Sequence, residues 1–494
     1  MIEQDRELPE LPKGWVQTDL GEVLLKLSSG ISQRQVNSGI PVTRIETISK
    51  GTIDLERVGY LANLPSETIQ KYRLIPDDIL FSNINSDAHL GKTAIFHSSD
   101  LLLLHGMNLL LVRTNQIVLN SDYLNYLFNY FRFKGVFYSI AQHAVNQSSI
   151  NQTKLNSLKI PLPPLPEQHR IVTKIEELFT RLDDGVNELK KVQLQLKRYR
   201  QSVLKSAFDG TLTAEWRKAH KDELEPASVL LERIKEERKK SGIYKEFPSV
   251  DTINLPELPE GWAWTKIKII ASVMDVDHKM PKSTDTGISF ISPKDFVYPY
   301  GVDFNKAKRI SIEDYTRLSR KCKPELGDLL YSRIGTVGKV RKVPDSITFQ
   351  ISYSLCIIRL TDIIKQNGYI YWLLQSPQIM EQALKNRRSI GVPDLGLADI
   401  KEFLIPIPSL NEQQYICEEI SRCFSIADEI ETTTEQSLKQ SQRLRQSILK
   451  RGFEGKLVPQ NPADKPADKL LERIKAEKAK NKVNSKQGKA VNVR

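Results

Sequence analysis

Ile160-Pro-Leu-Pro-Pro-Leu-Pro-Glu-Gln168 returns 245 positions later as Ile405-Pro-Ile-Pro-Ser-Leu-Asn-Glu-Gln413. The match runs without a gap from Ile160–Leu212 to Ile405–Leu457, with 20 identities in 53 positions. It is strongest in Arg200-Gln-Ser-Val-Leu-Lys205 against Arg445-Gln-Ser-Ile-Leu-Lys450, each followed by Phe-x-Gly (Phe208 and Gly210, Phe453 and Gly455). Working outward, Leu230-Leu-Glu-Arg-Ile-Lys235 returns at Leu470–Lys475, and Leu11-Pro-Lys-Gly-Trp15 returns as Leu258-Pro-Glu-Gly-Trp262. Asp78-Ile-Leu-Phe-Ser82 returns as Asp328-Leu-Leu-Tyr-Ser332. A period near half of 494 residues is a duplication of one domain with its appendage, not a solenoid. The appendages agree well, whereas the stretches before them share only scattered residues. The two globular parts therefore face different requirements, and the two appendages face the same one.

Each appendage opens on a stiff linker, with Pro161, Pro163, Pro164 and Pro166 in the first copy. Glu167 and Gln168 then fall in the first turn of a helix, where a carboxylate suits the dipole. Two heptad rows follow, Ile175, Leu182, Leu189, Leu196, Val203 and Ile171, Leu178, Gly185, Val192, Tyr199. They predict a coiled-coil seam about 60 Å long at 1.5 Å per residue. In the second copy the rows are Ile420, Ala427, Thr434, Ser441, Ile448 and Ile416, Cys423, Ile430, Ser437, Leu444, apolar at the ends and small or polar between. Large faces small if the two helices pair, in either direction. The antiparallel arrangement, with Leu182 level with Ser441 and Leu196 with Ala427, is preferred because it treats the two copies alike. Two independent coiled coils binding other proteins are the alternative.

The globular stretches carry short β-branched runs between Gly, Pro, Asn and Asp (Ile40–Ile48, Ile79–Ile84, Thr93–Phe96, Leu329–Ile334, Ile347–Leu360). Helical spacing marks Tyr123–Tyr138 and Tyr369–Lys385. The expected fold is α+β, with boundaries at 1–160, 161–244, 245–405 and 406–494. Residues Leu101–Val112 form the most apolar stretch, too short and interrupted to span a bilayer. The four cysteines form no CxxC pair, which points to neither a disulfide framework nor a zinc site and to a reducing cytoplasm. Lys and Arg number 72 against 60 Asp and Glu, a net +12 that favours a polyanionic partner.

Several chemistries are missing. Pro163-Pro164 is followed by Leu165, so the amino-methyltransferase tetrapeptide (Asn or Asp, Pro, Pro, aromatic) is absent. No strand-bound GxGxxG exists, and Gly91-Lys92-Thr93 has Ser86 where a phosphate loop needs its first glycine. There is no HExxH and no evident triad. The sequence offers no catalytic and no metal-ligating set.

The paired proline motifs, the long helices ending in Arg-Gln-Ser-[Val/Ile]-Leu-Lys and Phe-x-Gly, the Leu-Pro-x-Gly-Trp openings and the Leu-Leu-Glu-Arg-Ile-Lys tails together resemble the specificity subunit of type I restriction-modification systems. Asn411 in place of Pro166 is a minor departure. The resemblance covers nearly the whole chain. It implies two target-recognition domains separated by a pair of antiparallel coiled-coil helices in a pseudo-two-fold repeat, each domain reading half of a bipartite double-stranded DNA site. It also implies docking of two methyltransferase subunits and, through them, motor-nuclease subunits. S-adenosylmethionine, ATP and Mg²⁺ would then belong to those partners, and this chain would be non-catalytic, with no membrane partner. An adaptor without a DNA role is the competing reading.

Base reading needs Arg, Lys, Asn or Gln at groove edges. In the first part the loop-borne candidates are Gln33, Arg34, Arg44, Asn83, Asn85, Lys92, Asn146, Gln147 and Asn151. In the second they are Lys279, Lys282, Lys294, Arg333, Lys339, Arg341, Lys342, Arg387 and Arg388, with Arg387-Arg388 and Lys339-x-Arg341-Lys342 the denser clusters. The Lys-rich tail beyond Lys480 is expected to be disordered.

Overall fold

The computed structural model describes residues 11–145, 147–242, 250–253, 255–297, 299–365, 368–386 and 391–476. Candidates Asn146, Arg387 and Arg388 and the tail beyond Lys480 lie outside the described residues. Four helices carry the architecture: α1 (Ser121–Phe133), α2 (Leu165–Phe208), α3 (Ala227–Lys240) and α4 (Leu410–Phe453). The chain forms two compact units, Met1–Leu189 with Gln436–Arg494, and Lys190–Glu435. Both 44-residue helices, α2 and α4, are therefore shared between units. The grouping by contact differs from the grouping by sequence order, since each unit combines one globular part with pieces of both appendages.

The first unit contains strands β1 (Val16–Asp19), β2 (Leu24–Ser29), β3 (Asp78–Phe81), β4 (Thr93–Phe96), β5 (Leu110–Thr114) and β6 (Lys159–Leu162). β2, β5, β3 and β4 make an antiparallel sheet in that order, and β1 pairs with β6. The second unit repeats the plan with β7 (Ala263–Lys266), β8 (Ala271–Met274), β9 (Leu329–Ser332), β10 (Val340–Lys342), β11 (Leu355–Leu360) and β12 (Leu404–Ile407). Its sheet order is β8, β11, β9, β10, and β7 pairs with β12.

The repeated Asp-Ile/Leu-Leu motif has a structural reason. Asp78 is fully buried at the head of β3 and takes a bidentate guanidinium from Arg113 on β5, both bonds 2.7 Å. Asp328 does the same with Arg359 at 2.9 and 2.7 Å. Paired, hydrogen-bonded charge is the form in which a carboxylate tolerates burial.

The frame is shared; its additions are not. In the first unit a two-stranded ribbon joins Ile40–Val42 to Gly59–Leu61, and Ile84–Asn85, Gln147–Ser149 and Gln142–Ala144 form a small sheet. The second unit instead has a mixed sheet of Lys308–Ile310, Ile288–Ile291 and Phe349–Ile351. The expected strand Ile40–Ile48 thus ends at Val42 and turns into a 3-10 helix at Glu46. The expected helix Tyr123–Tyr138 breaks at Gly135, whose φ of 74° starts a second short helix. Tyr369–Lys385 likewise breaks at Ser376-Pro377, where serine caps a new helix. The proline linker is shorter than its four prolines suggest: Pro161 lies in β6 and Pro166 in the first turn of α2.

The repeated motifs meet as a docking joint. In the second unit Phe208 packs edge-on against Tyr369 at 5.2 Å, and Gly210 has φ 82° against the Pro259 ring. A Cβ there would strike that ring. The Trp262 indole donates to Glu412 at 2.9 Å, and Ala227, at the start of α3, donates to Gly261 O at 2.9 Å. In the first unit Phe453 packs on Tyr123 at 5.3 Å, Gly455 sits on Pro12, and Ala467 donates to Gly14 O at 3.0 Å. Each Phe-x-Gly and Leu-Leu-Glu-Arg-Ile-Lys segment therefore docks on the globular part of the other copy. Gln168, fully buried, closes the entry to α2 by accepting from Asn120 N and donating to Val118 O and Pro163 O at 2.8–2.9 Å.

Within each unit the two helices run antiparallel. In the first, Arg445 lies over the Phe179 ring at 4.2 Å and pairs with Asp183. In the second, Arg200 reaches Asp428 at 2.5 Å and Glu431 at 2.8 Å, 6.0 Å above Phe424. The staple obeys the same offset of 245 on both of its sides. Ile175, Leu196, Val203, Ile420, Ala427, Thr434 and Ile448 are buried, and Leu182, Leu189 and Ser441 half-buried. Leu182 lines one groove with Leu444, Ser447 and Ile448. The second rows leave the seam at Gly185, Tyr199, Ile430 and Leu444, all exposed. Arg200→Ala is expected to cost about 1–2 kcal/mol, and Arg445→Ala, whose pair is more exposed, under about 1 kcal/mol. Denaturant melts of the two variants check the order.

Candidate nucleic-acid interface

Burial decides which candidate side chains are free to meet a ligand. In the first unit Gln33, Arg34, Arg44, Gln147 and Asn151 are exposed. Arg44 donates to Gln35 Oε1 at 2.5 Å, and Asn151 caps the helix Gln152–Asn156 by accepting from Lys154 N. Asn83 and Asn85 are half-buried: Asn83 donates to Ile150 O at 3.3 Å, and Asn85 to Ser82 Oγ at 3.1 Å. Lys92 donates to Ser49 O at 2.7 Å; burial, then Arg132, lowers its pKa. Asn85 and Gln147 come together on the small sheet, where Asn85 pairs with Ser148.

In the second unit Lys279, Lys282, Lys294, Lys339 and Lys342 are exposed. Lys342 lies 5.0 Å from the Tyr371 ring centroid. Arg333 and Arg341 are corrections. Arg333 is 4% exposed and is held by Asp275 and Asp394, both at 3.2 Å. Arg341 is 6% exposed and donates to the carbonyls of Val297, Gly301 and Val340. Both guanidinium groups tie loops together instead of facing solvent. Burial pushes Asp275 up, but Lys321, His278 and Arg333 outweigh it and hold the carboxyl below its ordinary value. Arg317 steadies the neighbouring loop through Asp277 and Lys279 O at 3.1 and 3.3 Å. Arg132, Arg317 and Asp275 escaped the sequence reading, which had no signal joining residues so far apart in the chain.

Among the described residues no His, Cys, Asp and Glu group is arranged to hold a metal ion, and no helix is long and apolar enough to cross a membrane. The four cysteines are unpaired; burial raises Cys322 to about 11 and Cys356 and Cys417 to about 12. Thiols held in that range are poor nucleophiles.

The family described as the type I restriction modification DNA specificity domain matches residues 12–195 and again 259–440. The chain is 31% identical over 468 residues to the type I restriction enzyme MjaX specificity subunit of Methanocaldococcus jannaschii, covering 91% of this chain and 95% of that one. It is 27% identical to the EcoBI specificity subunit of Escherichia coli over 89% of this chain and 86% of that one. The fold is also that of the HsdS subunit crystal structure from Thermoanaerobacter tengcongensis, with a TM-score of 0.50, 18% identity and coverage of 90% and 98%. A structure from a study of type I R-M complex assembly matches with a TM-score of 0.59, 18% identity and coverage of 90% and 99%. With two matched domains on one repeated frame, this chain belongs to the type I restriction-modification DNA specificity family.

Proposed function

We propose that the chain is the non-catalytic subunit that reads a bipartite, asymmetric double-stranded DNA site for a cytoplasmic type I restriction-modification complex. Each globular part reads one half-site. The duplicated appendages present one surface twice and dock two methyltransferase subunits, through which motor-nuclease subunits join. S-adenosylmethionine, ATP and Mg²⁺ chemistry resides on those partners. The observation that carries this reading is the contrast inside the repeat: the docking joint recurs in both units, with Phe208 on Tyr369 in one and Phe453 on Tyr123 in the other, while the loops and small sheets around it differ. Two different half-sequences and one repeated partner account for both. Phosphate contacts would supply much of the affinity, each lowering the log–log salt slope by about 0.9.

Mapping methylated adenines in a host with and without this chain tests the proposal. A split motif that appears only with the chain is expected; an unchanged methylome refutes it. Inserting one heptad into both α2 and α4 adds about 10 Å of helix. The unread gap between half-sites is then expected to grow by about three base pairs, at the 3.4 Å rise of each step. An unchanged gap excludes a spacer role for the helices.

A further inference from the structure

One candidate reading residue is exposed and yet held in place. Arg44 lies just past the strand Ile40–Val42, and its Nε donates to Gln35 Oε1 at 2.5 Å. Its two Nη groups make no bond among the described residues. The backbone beneath it is fixed. Arg44 N donates to Thr47 Oγ1 at 2.8 Å, Arg44 O accepts from Thr47 N at 3.1 Å, and Thr43 N donates to Leu104 O at 2.9 Å. Thr47 is fully buried, and its hydroxyl in turn donates to Arg57 O at 2.6 Å. Gly59, the strand partner of Val42, leaves the space in which the two side chains meet. A Cβ there would overlap the Gln35 amide and come within 2.8 Å of Arg44 Nε.

The second unit builds the same corner from other side chains. Val36 N donates to Tyr60 O and Thr284 N to Arg309 O, both at 2.9 Å. Gly39 has φ 145° against the Leu61 carbonyl, and Gly287 has φ 127° against that of Ile310. Val42 pairs with Gly59 as Phe290 pairs with Lys308. Ser292 N donates to Asp295 Oδ2 at 2.8 Å, as Arg44 N does to Thr47. These matches put Ser292, Ser283 and Lys308 where the first unit has Arg44, Gln35 and Gly59. The Ser292 hydroxyl is taken up by the buried Asp295, to which it donates at 2.7 Å.

We infer that Arg44 is a specificity-determining residue of the first globular part and that Gln35 positions it: the two Nη groups read the O6 and N7 edge of one guanine in the major groove. This assignment rests on the DNA-reading function above. Two parallel donors match that acceptor pair, and a bidentate contact of this kind discriminates against the other bases. A guanidinium already held at Nε has a fixed plane and loses little further freedom on binding. A phosphate also accepts such a fork, but phosphates flank both half-sites alike. The corner carries arginine in one unit and serine in the other, which suits a base present in one half-site and not a backbone present in both.

The test uses the full chain assembled with its methyltransferase partner, in competition binding to duplexes that change the methylation-mapped site one base pair at a time. Arg44→Lys keeps the charge and removes the fork. It is expected to lower the preference for one G·C pair, in one half-site only, by about 5- to 150-fold, with the salt slope unchanged. Gln35→Ala should relax that same pair in part. The double variant, Gln35→Ala with Arg44→Lys, should lose no more than Arg44→Lys alone, because Gln35 acts through the arginine. Relaxation by Arg44→Lys at an A·T pair, an equal loss on every duplex, or an unchanged preference overturns the assignment of Arg44. Relaxation by Gln35→Ala at a different base pair, or losses that add in the double variant, overturns the positioning role. Wild type that binds no duplex overturns the DNA-reading function itself, so the failures are distinguishable.

Discussion

Lowering the pH from 6.5 to 4 is expected to remove about 3 kcal/mol of stability from the first unit through one imidazole. His105 is fully buried, its Nε2 lies 3.0 Å from Leu109 O, and its Nδ1 has no hydrogen-bond partner. Burial holds its pKa down to about 4, against the opposing bond from Leu109, and Lys26 adds a little. The folded value lies below the unfolded one. The unfolded chain therefore takes up the proton first as pH falls. The stabilisation is complete above pH 6.5 and is lost as pH drops towards 4. Two carboxyls act in the opposite sense: partial desolvation raises the half-buried Asp122 and the exposed Glu176, so their protonation favours the folded form in acid. His105→Gln retains a donor for Leu109 O but cannot titrate. Hydrogen exchange of the first unit from pH 4.5 to 7 should show a steep acid loss in wild type and a shallow one in the variant. Parallel curves would exclude His105 as the cause.

Much of the frame was legible because the duplication kept the residues that make it. Asp78 and Asp328, Trp15 and Trp262, Gly210 and Gly455 each recur because the geometry around them admits little else. The swap of appendages was not legible. Phe208 meets Tyr369 and Phe453 meets Tyr123, yet either aromatic would serve if each appendage folded back on its own copy. Both arrangements use the same contacts, so the sequence carries no preference. Helix direction was open for a similar reason, since Leu against Ser or Thr fills space either way. The staple that orients the pair lay inside the repeat, in Arg200 and Arg445 with Asp183 and Asp428, but a heptad pattern weighs apolar positions and passes over it. Among the candidate reading residues, Arg333 and Arg341 failed for a nameable cause. Residue type and loop punctuation mark a basic side chain, while its burial depends on Asp275, far away in sequence, or on carbonyls that no pattern reveals.

Glu412→Ala is expected to destabilise the second unit by about 3 kcal/mol, whereas Glu167→Gln should leave the first unit unchanged or slightly more stable. The two residues are equivalent under the repeat, and both are almost fully buried. Their surroundings differ. Glu412 Oε1 accepts from Thr213 Oγ1 at 2.6 Å and Arg217 Nε at 2.8 Å, and its Oε2 accepts from Trp262 at 2.9 Å. Removing it strands an arginine, an indole N–H and a hydroxyl in a closed space, the situation in which breaking a buried pair costs most. The offset of 245 puts Val458 and Pro462 where the second unit has Thr213 and Arg217, so Glu167 has lost two donors by sequence alone. Arg170 is engaged with Asp464 at 2.6 Å. Burial consequently raises the Glu167 carboxyl, with Trp15 and Arg170 compensating only in part. A raised carboxyl pKa means the folded form binds its proton more tightly than the unfolded form. Ionisation at neutral pH therefore works against folding, and an uncharged glutamine removes that cost. Denaturant melts followed by hydrogen exchange resolve the two units. Equal losses in both variants would show that the two joints are energetically alike, and that the donors around Glu412 contribute nothing beyond packing.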